Sequence, residues 1–189
     1  MISSRQEYIE YLLRDRIALG LPEKTSFTFR MKQFLWPDKT YQFQKRLRNV
    51  EYLQNCCKHT PVGFILWCIS KYRLRRVSLQ LGFSIDANIF GPGLSIPHYG
   101  NIVVNSNVRV GENCRIHTGV NIGAHGGPDK VPRIGNNVYI GPGAIIFGDI
   151  EIADGVKIGA NSTVTKSVLT PNVVIAGSPA KVIKSISDE

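Results

Sequence analysis

From Val104 to Val164 a branched aliphatic residue returns at every sixth position: Val104, Val110, Ile116, Ile122, Ile134, Ile140, Ile146, Ile152, Ile158 and Val164. Pro128 is the one station that breaks the rule. An α-helix repeats every 3.6 residues and a strand every two, so neither produces this spacing. A period of six with small residues between stations predicts a parallel β-helix, coiled as a triangular prism with six residues per face and about eighteen per coil. The fourth position after each station is small or modest (Val108, Cys114, Val120, Val138, Ala144, Val156, Ser162) and is expected to share the interior. Gly111, Gly123, Gly135, Gly141 and Gly159 directly follow stations, and Gly or Asn is expected to make the corners.

The first eighty residues read differently. Ser4 with Glu7 suggests a capping box, and Gly20 with Pro22 a stop. A second helix ends at Pro37, and a third runs from about Thr40 to His59 with Phe43, Leu47, Val50 and Leu53 on one stripe. Thr60-Pro61 opens a fourth helix reaching about Leu79, with Arg73, Arg75 and Arg76 near its C-terminal end, where the helix dipole favours cations. The fold class expected is therefore α+β: a basic helical domain over residues 1–80, then a β-helix domain over 81–189 with a loop at 124–133 and a polar C-terminal tail. In the opening coil, Ile85, Ile89 and Leu94 are not in register with the later stations.

The formal net charge of +9 resides entirely in the helical part, where residues 1–80 hold fifteen Lys/Arg against six Asp/Glu; the remainder balances at eight against eight. Solvated helix faces account for such an excess, and so does attraction to a polyanion, a membrane surface or a phosphorylated ligand. No nucleic-acid-binding motif occurs. Cys56, Cys57, Cys68 and Cys114 have neither metal-ligand spacing nor disulfide density, and Cys114 falls on a small inward position. The longest apolar run, Pro61 to Ile69, is far short of the roughly twenty residues that span a bilayer. A cytoplasmic protein without a transmembrane segment is expected, with membrane-surface contact through the basic helices left open.

Of four histidines, His59 belongs to a helix C-terminus, while His98, His117 and His125 lie in or beside the coils. His98 sits in Ser95-Ile96-Pro97-His98-Tyr99-Gly100, His117 follows the Ile116 station and should point outward, and His125 opens the loop. Outward imidazoles suit general base catalysis on a hydroxyl or a three-histidine zinc site.

From about Arg73 to Ile183 the chain resembles the hexapeptide-repeat acyltransferases, in particular the serine acetyltransferase branch. The resemblance rests on the hexads, Gly91-x-Gly93 followed by His98, Gly100-x-Ile102-Val103-Val104, the Gly126–Ile134 stretch, and Ala176-Gly177-x-Pro179-Ala180-Lys181. It implies a left-handed parallel β-helix, a homotrimer and acetyl-coenzyme A as co-substrate in a groove between neighbouring prisms. It also implies direct acetyl transfer to a small hydroxyl-bearing acceptor. His98 takes the catalytic position, with His117 beside it. Tyr99, His125, Asp129 and Arg133 are the acceptor-side candidates. Gly123, Ala124, Ala144, Gly159, Ser178 and Lys181 are the coenzyme-side candidates, with Lys181 near a phosphate. No metal ligands are implied.

The chain also departs from the family pattern. Pro97 stands where the family has an aspartate before the histidine, Phe83 where a second aspartate orients the imidazole, and Val131 where the loop carries a histidine. The shortened plan is similar to the serine-acetyltransferase-like enzymes of polysaccharide gene clusters. L-serine and a sugar hydroxyl of a surface polysaccharide therefore both stand as acceptors. A zinc-dependent γ carbonic anhydrase-like protein shares the prism, but that family sets its last two histidines about five apart, whereas the gaps here are nineteen and eight. A non-catalytic β-helix serving as an assembly surface is the remaining reading.

Overall fold

The computed structural model describes residues 1–186; the last three residues of the expected polar tail lie outside the described residues. Four α-helices come first: α1 (Arg5–Ala18), α2 (Phe27–Leu35), α3 (Lys39–Tyr52) and α4 (Pro61–Leu81). Each begins at a residue whose side-chain oxygen takes a free first-turn N–H. Ser4 accepts from Glu7, Ser26 from Phe29, Asp38 from Thr40 and Tyr41, and Thr60 from Gly63. The expected capping box is displaced by one residue, because the Glu7 carboxylate reaches back to the Ser3 N–H and hydroxyl. The expected helix from Thr40 to His59 is α3 followed by a π-helical turn over Leu53–Cys57. Gly82, left-handed at φ +76, ends α4 two residues beyond the expected Leu79 and turns the chain into the prism. Among the described residues, no helix is long and apolar enough to cross a membrane.

The rest is a left-handed parallel β-helix with three faces. The first face stacks β1 (Phe83–Ser84), β2 (Ile102–Val104), β5 (Asn121–Gly123), β8 (Ile145–Phe147) and β11 (Thr163–Val164). The second stacks β3 (Arg109–Val110), β6 (Arg133–Ile134) and β9 (Glu151–Ile152). The third stacks β4 (Arg115–Ile116), β7 (Tyr139–Ile140), β10 (Lys157–Ile158) and β12 (Val173–Ala176), and is closed by antiparallel β13 (Lys181–Ser185). All ten aliphatic stations are at most 6 % exposed, and the seven small positions are buried beside them. Each buried Ile or Val contributes roughly 1.5–3 kcal/mol of transfer free energy, so the stack is the main source of the prism's stability. Burial also pushes the Cys114 thiol up to about 12, as befits a core spacer.

The register explains why Pro128 interrupts the pattern without shifting it. Ile146 pairs with Val164 and Val104 with Ile122, eighteen positions apart, but Ile122 pairs with Ile146, twenty-four apart. The extra six residues are the protruding loop, and an insertion one hexad long leaves every later station facing inward. In the first coil, Phe83 pairs with Ile102 and Ser95 with Arg115, at spacings of nineteen and twenty, so its hexads are out of phase. The corners divide the work expected of Gly and Asn. Left-handed backbone falls two residues after four of the five glycines named above, at Asn113, Asn137, Gly143 and Asn161. Glycine directly after a station answers to crowding instead: a Cβ at Gly141 would lie 2.8 Å from both the Ile158 carbonyl and the Ala160 nitrogen of the next coil.

The helices and the prism share one core. Phe43, Leu47 and Val50 of α3 meet Leu74, Val77 and Leu81 of α4, and the Phe43 ring packs edge-on against Phe83 at 4.9 Å. Beside them Arg48 is fully buried and uses its whole guanidinium fork. It donates to Asp15 (2.7 and 3.2 Å), Glu51 (2.9 Å) and the carbonyls of Phe90 (2.9 Å) and Gly91 (2.7 Å). Asp15 in turn accepts from the Gly93 and Leu94 N–H groups, and Glu51 from Asn88. Desolvation alone would push the guanidinium pKa down, but Glu51 and Asp15 outweigh it and hold Arg48 charged, above its ordinary value. This network fixes the first coil, the one that carries His98, against α1 and α3.

Candidate active site

His98 and His117 occupy successive coils at the corner where the third face turns into the first. Ser95 and Ile96 lock the chain just before His98: Ser95 bridges to Arg115 and its N–H bonds the Cys114 carbonyl, while Ile96 is buried in the core. Pro97, having no N–H to pair, then lets the backbone leave the ladder. His117 follows β4 directly, and its N–H bonds the Ile140 carbonyl of the coil beyond. The two imidazoles stand 6.0 Å apart at a 44° tilt. His98 and Tyr99 are exposed, and His117 is partly covered by the Tyr139 ring at 5.1 Å.

Arg115 organises this corner. Its Nε donates to His117 Nε2 at 3.4 Å and its Nη1 to the Ser95 hydroxyl at 3.3 Å. A nitrogen that accepts from a guanidinium carries no proton, so this contact favours neutral His117. Partial desolvation, the Arg115 charge and the neighbouring His98 all hold the His117 pKa below that of an ordinary imidazole. Among the described residues, no carboxylate pairs with either imidazole. Chemically, the corner offers two imidazoles, one exposed and one partly covered, with no carboxylate paired to either among the described residues.

Below His117 the equivalent position is glycine on the next two coils. Gly141 and Gly159 continue the ladder, bonding to the Ile158 and Ile175 carbonyls, and lead to Ala176. Three strand spacings of about 4.8 Å separate His117 from Ala176 along this edge, roughly 14 Å in all, with glycine on the two rungs between them. At its far end Thr163 is wrapped by the C-terminal segment. It takes an N–H from Ala180, gives one to Gly177, and its hydroxyl meets that of Ser178 at 3.0 Å.

Comparison with known proteins agrees with this construction. The bacterial transferase hexapeptide (six repeats) family matches residues 132–166. The serine acetyltransferase of Buchnera aphidicola subsp. Schizaphis graminum is 37% identical over 132 residues, covering 65% of this chain and 50% of that protein. The serine acetyltransferase of Escherichia coli K12 is 38% identical over 130 residues, covering 65% and 47%. The solved Brucella abortus S19 serine acetyltransferase in complex with coenzyme A superposes with a TM-score of 0.75 at 29% identity, covering 97% of this chain and 70% of that one. Soybean serine acetyltransferase complexed with serine gives 0.73 at 25%, covering 96% and 71%. The chain is thus similar to serine acetyltransferases and carries the hexapeptide repeat of bacterial transferases over residues 132–166. It spans about half the length of the curated relatives it matches.

Within this hexapeptide-repeat protein the remaining sequence candidates divide between two edges. Gly159, Ser178 and Lys181 gather at the far end of that corner, Lys181 pairing with Ala176 across β12 and β13. His125, expected near the other two histidines, instead lies one face away. The hexad phase sets 117 and 125 at consecutive corners, with the Asn121 strand between them. There the His125 ring meets Phe147 at 5.6 Å, and its N–H bonds the Lys130 carbonyl to close the loop. Asp129 is held by Asn107 at 3.2 Å, while Arg133 projects from the second face between Arg109 and Glu151. Gly123 ends β5 and Ala124 packs partly against the core. Ala144 is fully buried with its methyl in the prism, so its side chain presents no wall to a coenzyme. Sequence reasoning missed Arg115 and Tyr139. Both stand directly before a third-face station, and the insertion stretches their separation to twenty-four positions, hiding the pairing.

Proposed function

We propose that this protein is an O-acetyltransferase that moves the acetyl group of acetyl-coenzyme A to an acceptor hydroxyl. The observation that carries the reading is the pair of imidazoles, His98 and His117, at the head of an edge whose next two rungs are Gly141 and Gly159. An extended thioester arm fits such an edge. In this reading Ser178 and Lys181, at the far end of that edge, are the candidates to meet its phosphates, and Gly123 and Ala124 border the opposite edge of the face.

In this reading a neutral nitrogen of His98 takes the hydroxyl proton as the acceptor oxygen attacks the thioester carbonyl. The tetrahedral adduct collapses, the C–S bond breaks, and the imidazolium returns its proton to the departing thiolate. The products are an acetyl ester and free coenzyme A. General base catalysis of this kind contributes about 10²–10⁴-fold in rate. Low proton affinity at His117 keeps a second positive charge away from the developing imidazolium.

His98 and His125 lie at opposite edges of one face, so a single pocket containing both requires two copies. That geometry supports a homotrimer, with Tyr99, His125, Asp129 and Arg133 bounding the acceptor across the interface. L-serine is the acceptor of first choice. A sugar hydroxyl is the second reading, favoured by Pro97 beside His98, where the resembled family carries an aspartate. The test is thiol release from acetyl-coenzyme A by wild type and His98→Ala, with L-serine and then with oligosaccharide acceptors. Release that depends on an acceptor and falls at least a hundredfold in His98→Ala supports the reading. Equal release in both proteins refutes it.

A further inference from the structure

The helical part carries a feature that acyl transfer does not use. Between Tyr52 and Ile85 the chain has five Lys/Arg and no carboxylate. On α4 these cations meet those of α3 in a cleft of about 490 Å³ whose cationic lining is Lys39, Arg46, Arg73 and Arg76. No carboxylate lines it or the adjoining cleft that shares Arg46 and Arg73 and adds Lys45. Arg46 is braced by a 2.9 Å bond from its Nη1 to the Arg73 carbonyl. Partial desolvation, with Arg16 and Arg46 nearby, pulls the Lys45 ammonium below the ordinary lysine value, as a site of positive potential requires.

Next to these cations the same helix exposes aliphatic surface. Val62 is 68 % exposed, Ile65 58 % and Ile69 44 %, at the 3–4-residue spacing that puts them on one face. Ile69 and Tyr72 line the basic cleft itself, joining the apolar stripe to the charged one. Beyond Lys39, Phe34 and Trp36 are also largely exposed. Aliphatic and aromatic groups beside uncompensated Lys and Arg are what an interfacial helix presents to an anionic bilayer. A second copy docked helices against helices would bring the same net positive charge against this surface.

We propose that the α3–α4 cleft binds the phosphate of anionic phospholipid headgroups while the exposed α4 stripe enters the headgroup–acyl boundary. The site lies outside the acetyl-transfer corner, and its test does not depend on that reading. Both tryptophans of the chain report on it: Trp36 is exposed, and Trp67 stacks between Lys58 (4.1 Å) and Lys71 (5.0 Å).

The experiment is co-sedimentation of the full chain with phosphatidylcholine vesicles and with vesicles containing phosphatidylglycerol, followed also by tryptophan emission. Inorganic diphosphate serves as soluble competitor. Binding to the anionic vesicles alone, with a blue-shifted emission, is expected. Lys39→Gln/Arg73→Gln/Arg76→Gln removes three exposed charges and should weaken partitioning about fivefold per charge, on the order of a hundredfold in all. Ile65→Ser/Ile69→Ser should also weaken it while leaving diphosphate binding intact. Equal binding to neutral vesicles overturns the proposal. So does diphosphate binding without vesicle binding, which would mark a soluble phosphate ligand. Vesicle binding untouched by the serine variants, together with a fall in their solution mass, overturns it in favour of self-association.

Discussion

Arg48 offers the sharpest test of how the helices hold the histidine corner. Replacing it with Met keeps much of the side-chain bulk but removes the charge, leaving the Asp15 and Glu51 carboxylates with side chains only 3% and 2% exposed and no counter-ion. Breaking a buried pair from one side costs about 3–5 kcal/mol. The Phe90 and Gly91 carbonyls lose donors as well, so the upper half of that range, about 4–5 kcal/mol, is expected. Against a total stability of about 5–15 kcal/mol this is a large fraction. At about 2–4 °C per kcal/mol for a chain of this size, the melting temperature should fall by roughly 8–20 °C. Urea unfolding followed by far-UV circular dichroism measures the loss directly, and an unchanged m-value would place it in stability rather than compactness. Asp15→Asn should cost less, because an amide oxygen can still accept from the Gly93 and Leu94 N–H groups. The reasoning fails if Arg48→Met loses less than about 1 kcal/mol, or if Asp15→Asn is the more damaging change.

Three further outcomes follow from the geometry. The His117 imidazole should titrate below the ordinary value of 6.5 by nuclear magnetic resonance, and Arg115→Gln should raise its midpoint by removing one cause of the depression. The folded state binds this proton less readily than the unfolded chain does, so the contribution of His117 to stability is fully present above pH 6.5. It declines as the pH falls through the lowered folded value. Gly141→Ala forces a Cβ to within 2.8 Å of the next coil's backbone and should destabilise by about 1–3 kcal/mol, read as a lower melting temperature. Deleting the six residues His125–Lys130 should leave a folded prism melting within a few degrees of wild type, since the hexad phase is preserved. On the proposed function the same deletion should also abolish acetyl transfer; a molten or aggregated product would refute the one-hexad account of the loop.

Much of the architecture was legible in the chain because a β-helix is quasi-one-dimensional. Each coil contacts only its neighbours, so local periodicity and tertiary contact carry the same information. Every aliphatic station and every small partner position could therefore be assigned from spacing alone, as could the caps at Ser4 and Thr60, whose partners lie three residues away. The loop was visible in its Gly-Gly-Pro composition, but its one-hexad length emerged only from pairing Ile122 with Ile146.

What the tertiary structure alone decided involves residues distant in sequence. Nothing around Arg48 marks it as buried. Its position is set by Asp15, thirty-three residues earlier, and by carbonyls of the first coil more than forty later, both delivered by helix packing. Arg115 and Tyr139 became part of the histidine corner through a register that the inserted loop obscured. The histidines show the division best. Sequence placed all three at corners of the prism, whereas the direction of the winding separated His125 from the other two by a full face. Periodicity states which way a side chain points; only the closed coil states what it points toward.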